Sequence, residues 1–391
     1  MIYVGIDVAK DKHDCTILGS NGEVLLPAFT FPNNRDGFEE LLKQIQSFSS
    51  DITQIKVGLE ATGHYCYNLL GFLLNRNLTT FVLNPLHTNL YRKGLSLRKT
   101  KTDKVDAKTI ATMLMSGVVS KPYTYLAYHN EELKSLTRYR FNMVQERAKQ
   151  KTSIARLVNI LFPELEKMVP SLHTPSVYAL LSEFPGASLI AEANIIRLTN
   201  LLSKASKGRY GREKAEQIRN TARKSIGSSS SAKSLELKQT IVAIRELSTK
   251  IDEVDYSIKQ MMDDIDSPIL SIPGISYKMG AMIIAEVGDF SNFDSPDKLL
   301  AYSGLSPSTY QSGQLVNARA KMEKRGSKYL RYALYNTTKF VCNWEPGFGH
   351  YLAKKRAEGK HYNVALSHAA KRLVRLIYAM EKSGEPYRLT N

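Results

Sequence analysis

The chain has 391 residues, of which 43% are hydrophobic, 9% aromatic and 23% charged, a globular composition that excludes a wholly disordered or fibrous protein. Its 54 Lys and Arg residues against 37 Asp and Glu give a formal net charge of +17, which predicts a polyanionic partner, most simply nucleic acid. Three cysteines without a short spacing predict neither a zinc site nor a disulfide framework, and they favour a reducing compartment. No apolar run reaches the roughly 18 residues of a membrane helix, and early charge argues against a secretory signal.

The first 115 residues predict strands that alternate with helices. Strands are expected at 2–8, 16–18, 24–26, 55–59 and 79–83. Helices are expected at 36–48, 65–74 and 102–115, the last after a basic loop. The dipeptide Asn21-Gly22 predicts a hairpin turn between the second and third strands. Three hairpin strands followed by two strand–helix units have the element order of a ribonuclease-H-like fold.

The central part of the chain predicts long helices. A helix with a basic face is expected over 131–168, and the polar stretch 203–234 ends in a flexible Gly-Ser linker at 227–231. Apolar residues at three/four spacing over 237–265 predict a coiled-coil or bundle helix that packs on the earlier helix or on another copy. Pro268 closes it, and the expected domains are 1–125, 126–266 and 267–391.

Four carboxylates are candidate metal ligands. Asp7 lies within the first strand, Glu60 closes the fourth, and Asp103 and Asp106 share one face of a helix start. A buried acid is costly unless it is paired or metal-bound, although the two helix-start acids also suit the helix dipole. Together the four can bind two Mg²⁺ or Mn²⁺ ions that act on a phosphodiester. The absence of a Cys/His pairing disfavours zinc.

Further residues flank these acids. Asp11 and Asp14 are weaker candidates, because they fall in an apparent turn after the first strand. Cations that would attract a phosphate backbone crowd around the aspartate pair. They are Arg92, Lys93, Arg98, Lys99, Lys101, Lys104 and Lys108.

Specific motifs surround each acid: YVGIDVAK at 3–10, LEATG at 59–63, Asn84-Pro85, and KTDKVDA at 101–107. With them the chain resembles the DEDD transposases of the insertion-sequence 110 (IS110) family, relatives of the Piv DNA invertases. The resemblance implies an α/β N-terminal domain of ribonuclease-H-like (RuvC-like) fold, followed by a mainly helical coiled-coil part. It also implies that the four acids bind Mg²⁺ or Mn²⁺.

The C-terminal region extends the resemblance. IPGIS at 272–276 and the residues up to 289 resemble a helix–hairpin–helix, whose helix start can hold a phosphate. The segments 299–307, 311–313 and 324–331 match the second, transposase domain of the family, which implies a nucleophilic serine at Ser312. A serine needs a base or a metal to act at neutral pH. Ser303, Ser306, Ser308 and Tyr310 remain rival nucleophiles.

Basic residues in both regions are expected to bind nucleic acid. They are Arg98, Lys99, Lys101, Lys104, Arg319, Lys324, Arg325, Lys328 and Arg331.

The expected function is that of an insertion-sequence transposase or recombinase that cuts and rejoins strands through a serine–DNA intermediate. The resemblance implies that its partners are donor DNA, target DNA, a noncoding bridge RNA and further copies of the chain in a dimer or tetramer. It also implies localisation to the bacterial nucleoid in the cytoplasm. Two alternatives stay open: a RuvC-like metal-dependent nuclease or junction resolvase that uses water, and a nucleic-acid-binding regulator with inactive acids.

Overall fold

The computed structural model describes residues 1–61, 63–95, 103–119, 121–123, 125–306, 311–312, 315–316, 322, 324 and 326–388. Side chains are described for all of these except 95, 103, 125–129, 311, 312, 315 and 316. The chain forms two compact units. The first consists of Met1–Glu132 with Gly288–Asp294, and the second consists of Leu133–Val287 with Ser295–Asn391.

A five-stranded mixed sheet forms the centre of the first unit. Its strands are β1 (Ile2–Val8), β2 (Lys12–Leu18), β3 (Val24–Pro32), β4 (Ile55–Glu60) and β5 (Thr79–Leu83), in the order β3-β2-β1-β4-β5. β1 pairs antiparallel with β2 and parallel with β4, and β5 continues the parallel part. The predicted α/β N-terminal part is confirmed, although β2 and β3 are longer than their apolar cores indicated.

The helices of the first unit are α1 (Arg35–Phe48), α2 (Cys66–Asn75), α3 (Pro85–Leu95) and α4 (Asp103–Met115). The basic loop predicted before the last helix is wrong in part, because α3 occupies its first half. Pro85 is the first residue of α3, where a missing amide hydrogen costs nothing, and the Asn84 side chain accepts a hydrogen bond of 2.9 Å from the Leu86 amide.

The second unit is mostly helical, as predicted. Its first helices are α5 (Tyr125–Leu161, with the residues from Leu133 in this unit), α6 (Leu165–Met168), α7 (Pro175–Glu183), α8 (Ala187–Glu192), α9 (Ile195–Ser206), α10 (Arg212–Arg223) and α11 (Ser231–Ile265). The single helix predicted over 131–168 is wrong at its end. α5 stops before Pro163, which has no amide hydrogen to continue the ladder.

The basic face of α5 is used inside the unit. Arg140 pairs with Asp255 of α11, and Arg147 donates a hydrogen bond of 3.1 Å to the Ser248 hydroxyl. Arg147 follows Arg140 in α5, whereas its partner Ser248 precedes Asp255 in α11, so the two helices are antiparallel. α11 therefore packs on the earlier long helix, which is one of the two arrangements that its apolar spacing predicted.

The predicted flexible linker at 227–231 is packed against the end of α5. The Ser228 amide donates a hydrogen bond of 2.8 Å to the Ile160 carbonyl. A Cβ atom on Gly227 would lie 2.3 Å from the Leu161 carbonyl oxygen, so only glycine fits this close approach. Composition predicted flexibility because a sequence of Gly and Ser does not reveal such backbone contacts.

The C-terminal part of the second unit contains α12 (Tyr277–Val287), α13 (Pro296–Tyr302), the short strands β6 (Gln311–Ser312) and β7 (Leu315–Val316), α14 (Lys328–Trp344), α15 (Pro346–Ala357) and α16 (Tyr362–Ser383). A 3₁₀ turn at Pro268–Ser271 precedes α12. α14 packs against α12, α15 and α16. Among the described residues no helix is both long and apolar enough to cross a bilayer.

Candidate active site

Two glycines on neighbouring strands of the first unit let α4 pack directly on the sheet. Gly5 on β1 and Gly58 on β4 are in register. A Cβ atom on Gly5 would lie 2.1 Å from the Ala107 carbonyl oxygen and 2.4 Å from the Ala111 amide nitrogen. A Cβ atom on Gly58 would lie 2.8 Å from Cδ1 of Leu114. A side chain on Gly5 would push against the backbone of α4 and hold the helix away from β1, whereas a methyl group on Gly58 would meet only side-chain atoms.

Each glycine is followed two residues later by an acid on the same face of the sheet. Side chains alternate between faces along a strand, so Asp7 and Glu60 both face α4. β1 and β4 are parallel, with Ile6 paired to Leu59. The two acids therefore occupy neighbouring positions near the carboxyl ends of the two central strands.

The start of α4 lies at this acidic end of the sheet. Gly58 contacts Ile110, with 2.9 Å between its ideal Cβ and Ile110 Cγ2. Two residues later along β4, Glu60 lines a cleft together with Asp106, one turn earlier in α4. The helix therefore runs antiparallel to the strand.

The same direction brings Asp103 toward Asp7. Ala107 lies against Gly5, and Asp103 comes four residues before it in α4. Two strand residues span about 6.6 Å and four helix residues about 6 Å, so the backbone of Asp103 lies near the strand position of Asp7. The Asp103 side chain is outside the described part of the structure.

Asp14 lies closer to these acids than the sequence indicated. The sequence placed it in a turn, but β2 begins at Lys12, and Asp14 pairs with Asp7 across the strands. Its carboxylate is buried and accepts a hydrogen bond of 2.6 Å from the Thr30 hydroxyl. β2 begins four residues before the predicted strand at 16–18, with Lys12, His13 and Asp14, whose polar side chains give no strand signal.

The cleft shared by Glu60 and Asp106 has a volume of about 340 Å³ and receives a guanidinium group from α3. Arg92 Nη1 donates a hydrogen bond of 2.9 Å to Asp106 Oδ1, and its Nη2 donates one of 2.9 Å to Asn89 Oδ1. The Arg92 and Asp106 side chains are 23% and 17% exposed. The cleft therefore contains the carboxylates of Glu60 and Asp106 together with the positive charge of Arg92.

Carboxylate oxygens are the ligands that Mg²⁺ and Mn²⁺ take, so the donor set of Glu60 and Asp106 fits a hard divalent cation. Among the described side chains, no group of three or more His, Cys, Asp or Glu is arranged to hold a metal ion. The candidate quartet includes Asp103, whose side chain is not among them. Arg92 occupies one oxygen of Asp106, so a metal ion there competes with an ion pair.

The nine expected nucleic-acid ligands fall into three groups, of which Arg331 alone is described and half-buried. Lys104, Lys324 and Lys328 are exposed. Arg98, Lys99, Lys101, Arg319 and Arg325 lie outside the described residues.

Ser312 belongs to the second unit, at the end of β6, where it pairs with Leu315 of β7. Its side chain is outside the described part. Of the rival nucleophiles, Ser303 is fully buried and donates a hydrogen bond of 2.7 Å to the Leu300 carbonyl, so its hydroxyl cannot reach a phosphodiester. Ser306 is half-buried, and Ser308 and Tyr310 lie outside the described residues.

Hydrogen bonds and close packing join the two ends of the segment that carries Ser312, at Ser303 and Lys324. Arg331 Nη1 donates hydrogen bonds to the carbonyl oxygens of Ser303, at 3.4 Å, and Lys324, at 3.2 Å. Gly326, at φ +87°, lies so close to the Tyr302 carbonyl that a Cβ atom would approach its oxygen to 1.9 Å. Arg331 thus joins the two ends of the segment, which is a structural task that its basic character did not reveal.

A buried carboxylate fixes the second of these ends. The Glu286 side chain is fully buried in α12 and accepts a hydrogen bond of 2.6 Å from the hydroxyl of Ser327, the N-cap residue of α14. Arg138 of α5 donates to both Glu286 oxygens, at 2.5 and 2.9 Å, and its guanidinium lies over the Tyr329 ring. Sequence reasoning missed Glu286, because the apolar residues around it in α12 gave no signal of its partners.

The sequence of this chain is similar to that of known proteins over both units. Residues 4–163 match the family model of the IS110 DEDD transposase, described as a transposase, and residues 266–353 match the model of the transposase IS116/IS110/IS902 family. The pilin gene-inverting protein of Moraxella bovis is 25% identical over 393 residues, covering 98% of this chain and 97% of that protein.

Two relatives from insertion elements are similar to nearly the same extent. A 44.8 kDa protein of insertion element IS116 from Streptomyces clavuligerus is 24% identical, covering 97% of this chain and 94% of its own length. The putative transposase of the mini-circle IS117 from Streptomyces coelicolor is 24% identical, covering 95% and 92%.

Proposed function

The chain belongs to the IS110 family of transposases and is a DNA transposase or recombinase, and from that premise we propose how its residues divide the work. Asp7, Glu60, Asp103 and Asp106 form the acidic site of a RuvC-like domain, and Ser312 is the nucleophile that breaks a DNA strand. The bond energy of the broken strand is kept in a serine–DNA linkage, so rejoining needs no ATP.

The observation that carries this proposal is the register of β1, β4 and α4. Gly5 and Gly58 bring α4 onto the strands, and the acids that follow each glycine face the start of the helix. Asp7, Glu60 and the start of α4, which carries Asp103 and Asp106, thereby lie at one end of the sheet. If each acid had only a structural role of its own, the four would not need to lie at the same end of the sheet.

The four acids would hold Mg²⁺ or Mn²⁺, which supplies Lewis-acid stabilisation of phosphodiester oxygens when bound. Arg92 has a different task. Its guanidinium orients the Asp106 carboxylate and brings a positive charge that attracts a phosphate group to the cleft. The exposed Lys104 at the start of α4 adds to that attraction.

In the proposed reaction the Ser312 hydroxyl oxygen attacks a DNA phosphorus and loses its proton. A Ser–O–P bond forms as the bond to the departing deoxyribose oxygen breaks, and that oxygen takes up a proton. The hydroxyl end of a second strand then attacks the same phosphorus and releases the serine. Each step exchanges one phosphodiester bond for another.

The partners follow from the same proposal. Donor and target DNA are substrates, and a noncoding bridge RNA pairs with both, to which a net charge of +17 is suited. Exchange between two duplexes calls for a dimer or tetramer, in which acids and serine can come from different copies. The protein acts on the nucleoid in the bacterial cytoplasm, and the segment from 272 to 289 acts as a helix–hairpin–helix.

The experiment separates strand transfer from hydrolysis. The full chain is incubated with donor and target DNA, Mg²⁺ and the RNA transcribed from the element, then denatured and tested for protein-bound DNA. We expect an adduct and recombinant product, both abolished by Ser312→Ala and retained by the matched control Ser306→Ala. Asp7→Asn is expected to abolish both as well.

Free nicked ends without an adduct, retained by Ser312→Ala, would instead establish a RuvC-like nuclease that uses water. Binding of DNA without Mg²⁺ and without any cleavage would establish a regulator with inactive acids.

A further inference from the structure

Two large aromatic side chains stand exposed on one face of α14. Trp344, the only tryptophan of the chain, is 70% exposed, and Phe340 is 54% exposed. They are four residues apart in a helix, so their side chains are neighbours on its surface. The opposite face of α14 is buried, with Leu330, Leu334 and Val341 in the interior. Tryptophan is rarely left this exposed in a folded protein, which calls for an explanation beyond packing.

The other aromatic residues of α14 have contacts within the unit. The rings of Tyr329 and Tyr332 pack edge-on against Phe141, with centroids 5.1 and 4.8 Å apart. The Tyr335 hydroxyl donates a hydrogen bond of 3.1 Å to the Asn363 carbonyl. The described residues give no comparable ring contact to Phe340 and Trp344, which therefore present free π-faces.

The part of the chain that carries the pair is basic, which favours a polyanion. α14 carries three cations, Lys328, Arg331 and Lys339, and no acid. Residues 328–391 hold 12 Lys and Arg against 4 Asp and Glu. The acid that follows Trp344, Glu345, is buried and accepts a hydrogen bond of 2.6 Å from the Phe348 amide as the cap of α15.

The start of α12 lies near the backbone of Phe340. Gly274, at φ +95°, packs so closely on α14 that a Cβ atom would lie 2.7 Å from the Phe340 carbonyl carbon. This contact brings the turn before α12, and with it the amides that begin that helix at Tyr277, next to Phe340. Helix-start amides attract phosphate, while aromatic faces attract bases.

We propose that Phe340 and Trp344 form a stacking platform for the bases of an unpaired DNA strand. A cationic helix that interleaves aromatic residues has the two components that single-strand binding requires, stacking and backbone attraction. The occupant is a single strand, because a duplex buries its base faces within the stack. It is DNA, because the chain is a DNA transposase or recombinase, and in this respect the proposal rests on the proposed function. A second copy of the chain fits the surface less well, since it would bring the same excess of positive charge to the contact.

The single tryptophan makes the test direct. The full chain with Ser312→Ala, which keeps the DNA intact, is titrated with a dT12 oligonucleotide while tryptophan fluorescence is followed. We expect quenching that saturates, that weakens with added salt and that a dT12·dA12 duplex does not reproduce. Phe340→Ala keeps the reporter and is expected to raise the dissociation constant about 5- to 150-fold, the range for loss of one stacked base.

Trp344→Ala is followed by anisotropy of a labelled dT12, because it has lost the reporter, and the same weakening is expected. The matched control is Tyr256→Ala, which removes a 65% exposed aromatic ring from α11 and is expected to bind like the parent. Circular dichroism of each variant establishes that α14 remains folded.

Three outcomes would overturn the assignment. Absence of quenching, or equal quenching by the duplex, excludes a stacking platform for unpaired DNA. Tighter binding of rU12 than of dT12 assigns the surface to RNA. A dimer that dissociates in Trp344→Ala, with dT12 affinity unchanged, assigns it to contact between copies. Because the assay measures binding in the Ser312→Ala variant, which does not carry out the proposed reaction, its failure leaves that reaction standing.

Discussion

A methyl group on Gly5 tests whether the close packing of α4 on β1 positions the acids. The added Cβ would lie 2.1 Å from the Ala107 carbonyl oxygen, more than 1 Å short of an ordinary contact of 3.4 Å. Both nearest atoms, this oxygen and the Ala111 nitrogen, belong to the backbone of α4. Because a backbone cannot rotate away, Gly5→Ala moves the helix that carries Asp103 and Asp106.

The size of the effect follows from this distance. Overpacking of an interior costs about 1–3 kcal/mol of unfolding free energy, and a clash with backbone lies at the upper end. Displacement of a reacting group by about 1 Å can lower a rate about 100-fold. We therefore expect Gly5→Ala to lose about 3 kcal/mol of stability and at least about 100-fold of strand-exchange activity.

Two glycines provide matched controls. At Gly58 the nearest atoms are the side-chain ends of Leu114 and Ile110, which can rotate, so Gly58→Ala is expected to cost about 1 kcal/mol. Gly94 in α3 has nothing within 4 Å of its ideal Cβ, and Gly94→Ala is expected to stabilise by up to about 1 kcal/mol.

Urea unfolding of the full chain measures the free energies, and amide hydrogen exchange assigns the changes to β1 and α4. Recombination of a donor–target plasmid pair measures activity. If Gly5→Ala unfolds and recombines like the parent, α4 does not rest on β1, and the stated reason for the common position of the acids is refuted.

Three further outcomes are expected. Arg92→Gln removes the cation paired with Asp106 and should tighten Mn²⁺ binding about fivefold in calorimetry, corresponding to ~1 kcal/mol, whereas Lys104→Gln should not. Burial lowers the pKa of His13, so the folded protein binds a proton less readily than the unfolded chain. The free energy of unfolding should therefore fall as the pH drops below about 6.5, by at most ~1.4 kcal/mol per pH unit. His13→Gln should flatten that dependence in urea titrations. Burial raises the pKa of the Cys342 thiol to about 11, so iodoacetamide at pH 8 should modify it only after unfolding, and labelling of the folded protein would contradict its buried position.

The first unit was largely predictable because its elements have strong local signals. The apolar alternation of Ile2–Val8 and the run Thr79–Leu83 match β1 and β5 residue for residue. β2 and β3 were predicted too short, because the pattern ends where polar residues such as Asp14 enter the sheet. The start of α3 had a signal in Asn84-Pro85, a cap residue before a first-position proline, but the basic residues that follow favoured a loop.

Contacts between distant residues were the part that sequence could not supply. The cations of α5 predicted a basic face, yet Arg140 and Arg147 bind residues of α11 more than 100 positions away. A single sequence gives charge but not partners, so a basic helix that binds nucleic acid and one that binds another helix look alike. The residues that flank Ser312 pose the same problem.

Arg331 and Lys328 differ in the contacts that they make within the chain. Both were expected to bind nucleic acid, but Arg331 already donates to the Ser303 and Lys324 carbonyls, and it is only half-exposed. Lys328 is exposed at the first turn of α14, where a cation is unfavourable to the helix dipole. A phosphate bound there relieves that cost, whereas loss of Arg331 opens the base of the segment itself. We therefore expect loss of Lys328 to weaken DNA binding, and loss of Arg331 to release the two ends of the segment that contains Ser312 as well.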